Sequence, residues 1–159
     1  MEQKALAKWL KIILIGVGVC GLIVYGGVIP GYGASLADQY PEFSGWFWPW
    51  LIFLWLTGIP CYAALVLGWR VAGNIGRGKS FSQENAKLLA LISRLAAGDA
   101  VFFFVGNIAL WLLDMSHPGV VLLSLLVVFA GVAVAVAAAC LSHLVRNAAD
   151  LQEQSDLTI

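Results

Sequence analysis

Four apolar runs, each close to the length of a bilayer crossing, decide what this chain can become. They occupy about residues 12–30, 47–69, 88–113 and 120–143, and a helix needs roughly 20 apolar residues to cross the hydrocarbon. Lipid forces helix on any single crossing, because each backbone amide must find its partner inside the segment. The fold class that follows is an all-α integral membrane protein, four transmembrane helices in an antiparallel bundle. Charge agrees: 11% of residues are charged and 61% hydrophobic, whereas soluble domains carry about 25% charge. A basic start before an apolar run also has the outline of a signal peptide. The run is long for that role, and Tyr32 stands where cleavage at Ala34 would want a small residue. An uncleaved first transmembrane helix is the expectation.

Orientation follows from where the charge lies. All nine lysine and arginine residues fall on one side of the four crossings or in the helix ends there. The other side carries Asp38, Glu42 and Asp114, with residues 31–45 as its polar stretch. The positive-inside rule then places both termini in the cytoplasm of a multi-pass inner-membrane protein. The aromatic cluster Trp46–Trp50 reads as an interfacial belt and not as a ligand platform. Pro60, just after Gly58, should kink the second helix. In the last run Gly131, Ala135 and Ala139 recur every four residues, a stripe suited to close packing. Cys20, Cys61 and Cys140 lie far apart without CxxC spacing and read as small apolar residues facing other helices.

The stretch from Arg70 to Lys87 is the one basic polar break between crossings, and it forms the cytoplasmic loop. Gly73, Gly76 and Gly78 loosen its backbone. Ser82 is placed to cap a helix by accepting a bond from a first-turn amide. Phe81 and Ala86 would staple that turn, and Glu84 sits where the helix dipole favours negative charge. Ser80 with Gln83 offers an alternative capping box. The acidic segment 146–159 forms the cytoplasmic tail, continuing as helix for about two turns and then folding back near residues 76–87. Phe81, Leu151, Leu157 and Ile159 are apolar residues in this polar setting, and their convergence would make a docking face.

Within the membrane, Asp99 and Asn107 form the candidate polar site. A carboxyl near mid-bilayer is costly, so it is a functional candidate by default. The competing reading is a carboxyl hydrogen-bonded to another helix that fixes packing. Phe103, Gly106 and Asn107 share its side of the helix, while Arg94 points away and reaches the surface by snorkelling. His117 and His143 are 26 residues apart, about 39 Å of helix, so they cannot share a haem iron. No metal-ligand spacing and no nucleophile, Walker or dinucleotide motif occurs. The expectation is therefore no enzyme, no cofactor and no metal.

Residues Gly78–Leu89 resemble a bacterial family of small four-helix membrane proteins known only as a domain of unknown function. Its members carry a Gly-x-Pro-Phe-Ser-x-Glu-Asn-like element in the loop, and Ser80 here stands where proline is usual. Their tails often close on Asp-Leu-Thr followed by Ile or Val, similar to Asp156–Ile159. Many are encoded beside a small Cro-like helix-turn-helix regulator, and the resemblance implies a membrane partner that holds or releases such a regulator. On this reading the bilayer and a soluble helix-turn-helix protein are the partners, with no direct nucleic-acid binding and a homo-oligomer left open. The partner-binding candidates are Phe81, Ser82, Glu84, Asn85, Lys87, Leu151, Asp156, Leu157 and Ile159. The alternative is a small transporter or channel subunit built on Asp99 and Asn107.

Overall fold

A computed structural model describes residues 2–157 and shows four long helices. The first, α1, spans Gln3–Gln39, interrupted only by a π-helical turn over Val24–Val28. Pro30 explains the position of that turn. Its ring would clash with the carbonyl one turn back and it donates no hydrogen bond, and a widened turn makes room. The helix stops at Tyr40, with φ −126° and ψ 79°, because the following Pro41 drives its neighbour out of the helical region. Residues 31–45, expected as a polar stretch, are thus helix to Gln39 and a 3-10 turn over Pro41–Trp46. They hold no proline before Pro41, and Ala34, Leu36 and Ala37 favour helix and outweigh Gly31 and Gly33.

α2 runs Phe47–Gly76 with Pro60 inside it, α3 Gln83–Leu112 and α4 Pro118–Leu157. Every crossing therefore exceeds the span read from hydropathy, since the helices continue past the membrane wherever good helix formers follow. The α3–α4 turn contains Asp114 in the left-handed region (φ 54°). Trp50 of α2 donates to the carbonyl of Met115 at 3.0 Å and holds this turn down. Pro118 opens α4, where its missing amide costs nothing.

The helices are antiparallel, and each packs only on its neighbours in sequence. Among the described residues no Cα of α1 comes within 8 Å of α3 or α4, and none of α2 approaches α4. The four crossings thus form an open row. The tightest contact, α3 on α4, is a seam of small side chains. On α4 the buried residues are Ser124, Ala135, Ala138, Ser142 and Ala149. That is a 3.5-residue period, the spacing of a left-handed helix pair, and Gly131 falls within it. Ala139, expected in the stripe, is exposed instead. Two hydroxyls lock the seam reciprocally: Ser93 donates to the Ala135 carbonyl and Ser142 to the Ala86 carbonyl, both at 2.7 Å. The α2–α3 contact is aromatic. Phe53 stacks on Phe103 at 5.8 Å, and a Cβ on Gly106 would run into the Phe53 ring.

Candidate functional site

At the basic end of the molecule, the turn between α2 and α3 is built around one buried amide. Asn85, 1% exposed, donates to the carbonyls of Lys79 (3.0 Å) and Ser80 (3.1 Å) and accepts from the Asn74 side chain (2.9 Å). Asn74 is itself buried, and its carbonyl accepts the amides of Arg77 and Lys79. Gly78 takes φ +80° at the bend, a value that suits glycine. Ser82 caps α3, its hydroxyl accepting the Asn85 amide at 3.2 Å. The expected cap is therefore present, and the Ser80–Gln83 alternative is not the one used. Buried polar groups satisfied in this way rigidify a turn. The amide pair was missed in the sequence, although Asn74 and Asn85 are the polar residues at the two inner ends of the apolar runs.

This frame sorts the partner-binding candidates. Ser82 and Asn85 are scaffold, and Asn85 has no surface to offer a partner. Phe81 is 58% exposed, Lys87 is exposed, and Glu84 pairs with Arg70 at 3.7 Å. Ala86 is fully buried, whereas Phe81 keeps more than half of its surface exposed.

Among the described residues the tail does not fold back: α4 continues as helix to Leu157, because residues 146–157 contain helix formers and no breaker. Its link to the loop is a hydrogen bond from Gln83 to Asp150, with Ala149 buried beside it. Beyond that point Leu151, Asp156 and Leu157 project outward, all exposed. Ile159 lies outside the described residues. The structure therefore places Phe81, Glu84 and Lys87 around the start of α3 and sets Leu151, Asp156 and Leu157 on the part of α4 that continues past Asp150.

Inside the membrane, Asp99 belongs to a polar chain that crosses three helices. Cys61 of α2 donates its thiol to Asp99 Oδ2 at 3.6 Å. Tyr25 of α1 and Thr57 of α2 share a hydrogen bond of 3.0 Å, and Thr57 lies one helical turn from Cys61 on α2. Trp55 donates to the Tyr25 carbonyl, inside the π turn. A groove of about 390 Å³ opens beside this chain between Tyr25, Trp55, Gly58, Ile59 and Tyr62. Asp99 Oδ1 and Asn107 Oδ1 are buried and take no hydrogen bond among the described residues. Asn107 Nδ2 donates to the Phe103 carbonyl on its own helix at 2.7 Å. The expected Asp99–Asn107 site is thus two places: Asp99 meets Cys61 of α2, and Asn107 turns back on its own helix. Cys61 is accordingly a hydrogen-bond donor across α2 and α3, and all three cysteines are exposed. Tyr25 and Thr57 had a faint signal in sequence, each followed within a residue or two by Gly26-Gly27 or Gly58.

Residues 31–159 match the family described as "Protein of unknown function (DUF2975)". Over 152 residues, and 94% of each chain, the sequence is 27% identical to a Bacillus subtilis (strain 168) protein described as "Uncharacterized membrane protein YoaS". No solved structure matches significantly. The chain belongs to the DUF2975 family, and it is an all-helical membrane protein with four candidate crossings.

Proposed function

We propose that this member of the family is a regulatory interaction protein of the inner membrane, acting by binding and not by catalysis. Its basic end faces the cytoplasm, with both termini inside, and holds a soluble regulator, a Cro-like helix-turn-helix protein on the resemblance of its loop. The observation that carries this reading is the rigid presentation of an exposed aromatic. Buried Asn74 and Asn85 fix the 77–82 turn, and Phe81 stands 58% exposed upon it. A side chain held in this way loses little freedom when a partner covers it. The arm from Leu151 to Leu157 stands beside that turn, offering apolar and acidic groups. Pull-down of a Cro-like regulator by the full chain checks the reading. Capture should fail for Phe81→Ser and for a chain lacking residues 151–159, with membrane insertion intact. Unchanged capture by both variants would overturn it.

A second reading, a small transporter or channel subunit, draws on the unpaired buried oxygen of Asp99. An intramembrane carboxyl beside a groove is the usual mark of an ion or proton path. Flux into vesicles carrying the wild type, lost in Asp99→Asn with the fold retained, would favour it over the first.

A further inference from the structure

We propose that the groove between the first turns of α1 and the inner end of α2 is a binding site for an anionic phospholipid. Its phosphate would sit on Lys4, Lys8 and Lys11, and one acyl chain would run along Ile12 and Ile15. The groove has a volume of about 370 Å³ and is lined by these residues with Ala7 and Gly76. Positions 4, 8, 11 and 15 fall on one stripe of a helix. The lysines occupy its outer turns and the isoleucines the turns below, so the groove changes from basic to apolar in the order that a phospholipid does. The floor is made by the smallest side chains: a Cβ on Gly76 would lie 3.2 Å from that of Ala7.

Depth is fixed by Trp69, whose ring lies 5.0 Å from the Lys11 ammonium. Tryptophan prefers the headgroup level, and the cation–π contact holds Lys11 there. No carboxylate lines the groove, and the one ion pair among the described residues, Arg70–Glu84, uses none of its lysines. The groove is also accessible from the leaflet, because α1 packs on α2 alone. Topology requires basic charge on one side of the membrane. It does not require three lysines stacked in a cleft above an apolar floor, whereas a basic pocket between crossing helices is a recognised headgroup site.

The test uses the full chain in neutral detergent, titrated with phosphatidylglycerol, with phosphatidylcholine of the same chains, and with inorganic phosphate. Bound lipid is counted by native mass spectrometry. Wild type should retain phosphatidylglycerol over phosphatidylcholine and ignore free phosphate at the same concentration. The triple variant Lys4→Gln, Lys8→Gln, Lys11→Gln should lose that preference on the order of 10- to 100-fold. A variant with equal charge removed outside the groove, Arg77→Gln, Lys79→Gln, Lys87→Gln, should keep it. Equal loss in the two triples, or no loss in the first, overturns the site; capture of free phosphate in place of lipid overturns the ligand. Should the first triple fail to insert, lysine acetylation of the wild type decides the matter. Phosphatidylglycerol should protect Lys4, Lys8 and Lys11 while leaving Lys79 and Lys87 reactive, and uniform reactivity overturns the proposal.

Discussion

Asn85 makes three side-chain hydrogen bonds in a place that water does not reach. Replacing it with alanine strands the Asn74 amide and two carbonyls, and a buried orphan costs about 1–3 kcal/mol. Asn85→Ala should therefore lower the melting temperature in detergent and raise proteolysis between Arg77 and Phe81. Ser82→Ala should do less, about 1 kcal/mol, since it removes a single cap bond. Equal effects would mean that the cap, and not the amide pair, organises the turn. For Asp99 the contact is a thiol bond between helices, so Asp99→Asn should keep the fold and Asp99→Leu should cost about 1–2 kcal/mol. The cap was legible in the sequence because capping is a matter of neighbouring residues. The Asn74–Asn85 and Tyr25–Thr57 pairs were not, because only the path of the chain brings such residues together. Asn107 was misjudged for a related reason: sharing a helix face with Asp99 did not give it the same partners.

The number of helices follows from hydropathy, since lipid permits nothing else at those runs. Where the helices end does not follow. Hydropathy marks the edge of the membrane, whereas a helix ends where the backbone is turned, and neither residues 31–39 nor 146–157 contain the proline that stops α1 at Tyr40. The same gap between pattern and geometry appears in the α3–α4 seam. Glycine and alanine repeating every four residues suggested Ala139, but two long helices that stay in contact must supercoil, and their seam follows a 3.5-residue period. The distinction is testable within adjacent positions. Ala138 is 6% exposed and Ala139 is exposed. Ala138→Leu should overpack the seam at a cost of about 1–3 kcal/mol, read as a fall in melting temperature, and Ala139→Leu should leave it unchanged. The reverse order would restore the four-residue stripe. Gly106→Ala tests the neighbouring interface in the same way, because Phe53 must move to admit a Cβ, whereas Gly98→Ala meets nothing within 4 Å.

At the scale of the molecule, the open row carries projections at opposite ends. α1 has 37 residues and α4 has 40, about 55 and 60 Å of helix, against a hydrocarbon core of about 30 Å. The surplus of α1 lies beyond Pro30, toward Asp38, and that of α4 lies beyond Arg146, on the basic side. An even number of crossings puts the two termini on the same face, and the lysines and arginines choose which face. If the basic end is cytoplasmic, a cysteine at Ser35 should react with an impermeant maleimide in intact cells, and one at Glu153 only after permeabilisation. Both positions are exposed or half-exposed on helix, and the native cysteines can be replaced by serine or alanine beforehand. The pair of labels tests more than orientation. A protein inverted in the membrane would exchange the two results and would present Phe81 and the α4 arm to the outside, where no cytoplasmic regulator could reach them. Reaction at both positions in intact cells would instead require an odd number of crossings, and the antiparallel order of α1 and α4 would then have to be abandoned.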